Sequence, residues 1–186
     1  AFDRAWLRLA EFNPMPATIG RICPHPCETD CTRSDKDGPV SINAMERFLG
    51  DWALERDLRF PPAESPGHEE AIGVIGSGPA GLSFAYQMAR RGYRVMVYDA
   101  RDKPGGMLRY GVPDYRLPQD ILDAEIARIE KLGVELLPGV RVGKDISFEA
   151  LRARHDSIYL GIGAQEGRAL RIPGADGSGV FIGTDY

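Results

Sequence analysis

The sequence predicts an α/β protein with a small α-helical, cysteine-bearing domain at residues 1–66 and the first part of a Rossmann-like domain at 67–186. Three observations carry this reading. Every cysteine, Cys23, Cys27 and Cys31, stands in the stretch CPHPCETDC (23–31). A proline-rich, polar stretch, RFPPAESPGHEE (59–70), then reads as a connection between two units. After residue 70, short apolar runs alternate with helical patterns, as in an open, mostly parallel sheet.

The elements follow in order. AFDRAWLRLAEF (1–12) places Phe2, Ala5, Trp6, Leu9 and Ala10 on one helical face. NPMP stops that helix, because Pro14 and Pro16 lack an N–H and restrict the residues before them. Pro24 and Pro26 make the cysteine stretch an irregular loop. SINAMERFLGDWALE (41–55) reads as a helix capped by Ser41, with Ile42, Met45, Leu49, Trp52 and Ala53 expected inward. AIGVIG (71–76) and RVMVYD (94–99) read as strands around a helix over 79–92. QDILDAEIARIEKLG (119–133) is a helix with Ile121, Leu122, Ile126 and Ile129 inward. VELLPG and RVGKDI read as short strands, SFEALRARH as a helix and DSIYLGIG as a buried strand.

The net charge of −4, from 23 basic and 27 acidic residues, does not suggest nucleic acid or an anionic membrane as partner. No apolar run approaches the roughly 20 residues that span a bilayer, and residues 1–12 do not read as an export signal. A cytoplasmic location is expected. Three cysteines in a reducing compartment point to metal rather than disulfides.

GSGPAG (76–81) follows a strand and opens a helix, the context in which G-x-G-x-x-G binds a dinucleotide. Gly76 permits the tight turn, Gly78 lets the backbone approach a pyrophosphate, and Gly81 lets helix and strand pack closely. Ser77, Pro79 and Ala80 complete the loop, and the first helical N–H groups face the phosphates. Asp99 ends the second strand, where a carboxylate meets ribose hydroxyls. Spacing leaves FAD and NAD open. Arg101 is available to a 2′-phosphate, but Asp99 would repel one, so NADP is disfavoured here.

KPGGMLRYGVPDYRLP (103–118) is dense in glycine and reads as a wall pressed against a cofactor. Arg109 and Arg116 are candidates for phosphate or for acidic side chains; Tyr110 and Tyr115 are candidates for stacking on a ring or for packing. The cysteine loop suits an iron–sulfur centre, with zinc held by three cysteines and a histidine as the alternative. His25 is too close in sequence to both flanking cysteines to be an obvious chelating partner. Glu46, at the edge of an apolar stripe, needs a partner: a cation such as Arg21 or Arg47, or a metal.

NPMPATIGRICPHPCETDC with PVSINAMERF, IGSGPAGLSFAYQMARRGYRVMVYDARDKPGGMLRYGVPDYRLP and IPGADGSGV together resemble the flavin and iron–sulfur oxidoreductases of the glutamate synthase small-subunit type. The same module occurs in the N-terminal half of dihydropyrimidine dehydrogenase and in the large subunit of NADH-dependent ferredoxin:NADP oxidoreductase. The resemblance implies FAD at Gly76–Gly81 and Asp99, with Gly106, Met107, Arg116 and Val142 near the flavin nucleotide. It implies [4Fe-4S] ligation by Cys23, Cys27 and Cys31, with Glu46 as the leading candidate for the missing ligand. In the family's two-cluster pattern Cys31 belongs with cysteines further upstream, and Cys23, Cys27 and Glu46 share the other cluster with one more ligand. No second G-x-G-x-x-G follows Gly81, so NAD(P)H is expected on a further domain. The expected function is electron transfer from NAD(P)H through FAD to iron–sulfur centres and a partner redox subunit or ferredoxin. The alternative is a nucleotide-binding structural module with zinc or no metal at the cysteines.

Overall fold

Strand β1 (Ala71–Ile75) lies at the centre of a four-stranded parallel sheet. The order is β3 (Glu135–Pro138), β2 (Arg94–Asp99), β1 and β4 (Ser157–Leu160). Val74 pairs with Val97 on one side and with Tyr159 on the other. Central strands with buried Val74, Val95 and Val97 suit a sheet covered by helices. The computed structural model describes residues 1–63, 67–165, 167–169 and 171–182. The boundary expected after residue 66 abuts residues 64–66, outside the described residues.

Helices α5 (Pro79–Arg90) and α7 (Gln119–Glu130) cross over between the strands and bury Leu82, Ala85, Leu122, Ile126 and Ile129 in the core. Four helices precede the sheet: α1 (Phe2–Ala10), α2 (Pro16–Ile22), the single turn α3 (Pro26–Thr29) and α4 (Ile42–Glu55). α6 (Met107–Tyr110) is one turn in the glycine-rich loop, and α8 (Phe148–Arg154) leads into β4.

The helical segment is fastened to α5 and α7 by hydrogen bonds to helix ends as well as by packing. Tyr86 Oη donates to Ala10 O at 2.6 Å, while Gln87 Nε2 and Arg90 Nη1 donate to Glu11 O at 3.0 and 3.1 Å. These are carbonyls that the end of α1 leaves without helical partners. Trp6 stacks on Phe60 at 5.5 Å, and Phe60 meets Tyr86 at 4.6 Å. Such rings supply most of the area that a junction of this kind buries.

Four sequence expectations are corrected. NPMP does end α1, but Pro16 then opens α2, since the first helical position has no use for an N–H. α4 does not turn Ile42 and Met45 inward; they are 39 % and 49 % exposed, whereas Gly50 and Ala53 are buried. The reason is backbone proximity: a Cβ on Gly50 would overlap the backbone N and Cα of Ala17, and one on Gly20 would stand 2.6 Å from Arg47 Cα. Small residues must face α2 there, and Phe48 and Trp52 instead form an outer aromatic group with Phe2. RVGKDI is a turn closed by a single bridge between Val142 and Ile146, not a strand. Finally, the inward face of α7 includes a carboxylate, Glu125, which is fully buried.

Candidate nucleotide and metal sites

The sheet order reverses at β1, because β2 and β3 lie to one side and β4 to the other. Open α/β sheets hold ligands at such a point, beyond the C-terminal ends of the strands. The glycine loop stands there. Gly76 takes φ +101 and donates its N–H to Tyr98 O at 2.7 Å; a Cβ would run into Gly161 O. A Cβ on Gly81 would run into Gly76 O, so this glycine is needed for helix–strand packing.

Gly78 differs from both. Its φ of −71 and ψ of −179 are open to any residue, and a Cβ there would meet, among the described residues beyond its two chain neighbours, no atom nearer than Gly106 Cα at 4.0 Å. Neither conformation nor packing requires glycine at this position. Its glycine keeps free a space that the chain itself does not fill, beside the unpaired first N–H groups of α5. Gly106 closes the cradle from the other side: its φ is +52, and a Cβ would stand 2.7 Å from Gly78 Cα. Gly105 N–H donates to Ser77 O at 2.9 Å, stitching the two glycine loops together. This geometry fits a dinucleotide pyrophosphate.

Asp99 is oriented by three donors. Its Oδ2 accepts from Ser77 N at 2.7 Å and Ser77 Oγ at 2.5 Å, and its Oδ1 accepts from Arg101 N at 2.8 Å. A carboxylate offers about four lone-pair positions, so Oδ1 retains one for a hydroxyl such as that of a ribose. Val140 N–H donates to Asp99 O at 2.8 Å, which brings the turn holding half-buried Val142 alongside.

Arg109 is not free to meet a phosphate. Its side chain is 6 % exposed and reaches Pro104 O at 2.6 Å, Gln119 Oε1 at 2.7 Å and Asp123, clamping the wall loop to α7. Tyr110 Oη donates to Asp102 Oδ1 at 2.8 Å, and the Arg101 guanidinium lies 4.7 Å over its ring. Met107 and Arg116 are exposed, Tyr115 is 90 % exposed, and Arg116 has no partner among the described residues.

The three thiols are free. Cys23 follows α2 directly, His25 takes a left-handed φ of +42 and directs its N–H at Cys23 Sγ (3.4 Å), and Cys27 lies in α3. Glu28 Oε1 accepts from Asn43 N at 2.9 Å, which docks the loop on the first turn of α4. Both cations expected near Glu46 turn elsewhere: Arg21 pairs with Asp51 at 2.7 Å and Arg47 with the same carboxylate at 3.8 Å. Glu46 accepts instead from Asn13 Nδ2 at 3.3 Å. Soft, unpaired thiols on a pinned loop are the donor chemistry of iron–sulfur ligation. Yet among the described residues no three of the Cys, His, Asp and Glu side chains gather closely enough to hold a metal ion. Among the described residues the side chains thus form no closed single-ion site of the kind zinc needs.

Sequence reasoning passed over Asn13 and Glu125, whereas Arg109 takes the second of its two expected partners, an acidic side chain, that of Asp123. Gly161, just after β4, could have been noticed as a glycine ending a strand beside Gly76; that strand is half-buried at most, with Leu160 exposed, and not the buried strand expected.

Residues 1–58 match the family described as dihydropyrimidine dehydrogenase domain II, 4Fe-4S cluster, and residues 74–126 match the NAD(P)-binding Rossmann-like domain. The chain is 39 % identical to the glutamate synthase [NADPH] small chain of Mycobacterium tuberculosis, over 96 % of this chain and 37 % of that protein. It is 37 % identical to the NADP(+)-dependent formate dehydrogenase subunit beta of Moorella thermoacetica, over 97 % of this chain and 29 % of that protein. With the NADPH-Fe(3+) oxidoreductase subunit beta of Geobacter sulfurreducens it shares 35 % identity, over 94 % of this chain and 26 % of that protein. The chain thus spans less than half the length of these relatives. A solved structure of FprA from Mycobacterium tuberculosis is similar over 59 % of this chain and 26 % of that one, with a TM-score of 0.51 and 27 % identity.

Proposed function

We propose, from the premise that the chain belongs to the flavin and iron–sulfur oxidoreductase family of the glutamate synthase small-chain type, that it is the FAD-binding electron-transfer part of an NAD(P)H-dependent oxidoreductase. The division is a helical iron–sulfur-type domain at 1–66 and a Rossmann-like domain at 67–186. The observation that carries this reading is Gly78, a glycine whose only evident use is the room above it. Bound FAD would supply the ability to exchange electrons in pairs with a nicotinamide and singly with a one-electron carrier.

The residues divide the work. Gly78, Ala80 and Gly81 present backbone N–H groups to the pyrophosphate, Pro79 opens the helix behind them, Ser77 holds Asp99 through its N–H and hydroxyl, and Asp99 takes the ribose. Gly106, Met107, Arg116 and Val142 line the nucleotide; Arg116, exposed and without a partner, is available to a phosphate. Several relatives are named for NADPH, yet Asp99 would repel a 2′-phosphate at this loop. FAD therefore takes the loop, and the nicotinamide binds a further domain of the full-length protein. Cys23, Cys27, Cys31 and Glu46 contribute to iron–sulfur ligation, divided between sets that other ligands complete. The partner is a redox subunit, or a ferredoxin, and the setting is cytoplasmic.

Anaerobic titration of the full-length protein with NADPH or NADH tests this. Bleaching of the flavin absorbance, followed by a paramagnetic iron–sulfur signal, is expected; bound nucleotide without iron or bleaching would indicate the structural module. Within the same protein, Glu46→Ala should lower the iron content or change the iron–sulfur resonance. An unchanged signal with full iron would leave Glu46 as no more than the partner of Asn13.

A further inference from the structure

Glu125 is the most deeply buried of the ionisable groups, among the described residues, that the nucleotide site does not use. It lies in the middle of α7, fully buried, and its two oxygens accept from α2: Oε1 from Ala17 N at 2.9 Å and Oε2 from Thr18 N at 2.8 Å. Pro16 has no N–H, so these are the next two backbone donors of α2, and the helix cannot pair either. At its other end α2 runs straight into Cys23, whose N–H still donates to Ile19 O at 2.9 Å. α7 also grips the nucleotide side, since Gln119 and Asp123 hold Arg109, and Leu122 lies against Gly105.

We propose that Glu125 is a positioning residue: by taking both N–H groups of α2, it fixes the helix that carries Cys23 relative to the glycine loops, with α7 as the common beam. The separation an electron would cross between the two loops is then set by side chains of one helix. The functional meaning of this proposal rests on the flavin reading; its geometry does not.

The burial of this carboxyl gives the contact a pH signature. Burial pushes the Glu125 carboxyl up to about 7, with the Thr18 side chain, the two N–H groups and the Arg128 charge pulling against that rise. Arg128, one turn further along α7, is the charged group acting on it among the described residues. α2 presents Ala17 and Thr18; Trp6 of α1 and Phe60 face Arg128, and Asp57 acts on Arg128. Released into water, the carboxyl returns towards its ordinary value of 4.5. The docked form thus holds its proton more tightly. Docking of α2 strengthens as pH falls through 7, by roughly tenfold between pH 8 and pH 6, and weakens as pH rises.

The test is amide hydrogen exchange at Ala17 and Thr18 in the full-length protein, corrected for the intrinsic pH dependence of exchange. Protection should be roughly tenfold higher at pH 6 than at pH 8. Glu125→Gln, of the same shape, should lose this step, and Glu125→Ala should lose protection at both pH values. A step that persists in Glu125→Gln, its absence from the unaltered protein, or full protection in Glu125→Ala would overturn the proposal. Because exchange is read at α2, a flavin-free preparation would sink the flavin reading alone. Flavin-replete protein without the pH step would sink this one alone.

Discussion

Gly78→Val is expected to strip the flavin from the protein while leaving its fold intact. The backbone at Gly78 is extended and accepts a β-branched residue, and a Cβ would meet, among the described residues beyond its chain neighbours, nothing closer than 4.0 Å. The valine methyls would instead enter the space reserved for the pyrophosphate. Forcing extra methyl groups into a filled space costs about 1–3 kcal/mol, which weakens binding by roughly 5- to 150-fold. Equilibrium dialysis with FAD, beside a melting curve, checks both halves of the statement. Gly106→Val is the informative contrast. There φ is positive and the side chain would strike Gly78, so that variant should lose loop order as well as flavin. A folded Gly78→Val protein that keeps its flavin would show that the space has another purpose.

Gly50→Ala should destabilise the helical segment, against what helix propensity alone predicts. Alanine in a helix interior is favoured over glycine by about 0.8–1.0 kcal/mol. Here, however, the added carbon would overlap backbone atoms of Ala17, which no side-chain rotation can relieve. Overpacking of this kind costs about 1–3 kcal/mol, and the upper part of that range outweighs the propensity gain. α2 and α4 would have to part, loosening both Cys23, which follows α2, and Glu46, which α4 carries. The expected result is a lower melting temperature and faster amide exchange across 17–22; a higher melting temperature would mean that the close crossing is not tight. Gly20 meets Arg47 in the same crossing, so its replacement should act in the same direction.

The geometry of the glycine loop was largely legible in the sequence, and the physical reason is locality. A turn, a close approach and a packing contact each demand glycine at a set spacing, so GSGPAG after AIGVI announces strand, loop and helix together. Asp99 was legible because a strand end places it beside that loop. The helical segment was legible only in outline. α4 has a clear apolar stripe, but which face turns inward depends on how closely another helix approaches. That information sits at Gly20 and Gly50 rather than in the stripe. NPMP reads as a stop, and the same proline that ends one helix starts the next. Glu125 was missed for a different reason: four residues after Ile121 and four before Ile129 it stands on the inward face of α7, but the backbone partners that make a buried acid tolerable there, Ala17 and Thr18, lie far away in the sequence. Glu46 illustrates the limit from the other side, since Arg21 and Arg47 were reasonable partners until Asp51 took them both.

The central claim, that these residues belong to a flavin and iron–sulfur electron-transfer protein, is tested most directly by composition. The measurement is FAD, iron, acid-labile sulfide and zinc per chain in the full-length protein prepared without oxygen. The account predicts stoichiometric FAD together with iron and matching sulfide. Zinc, or no metal, in a protein without flavin would contradict it.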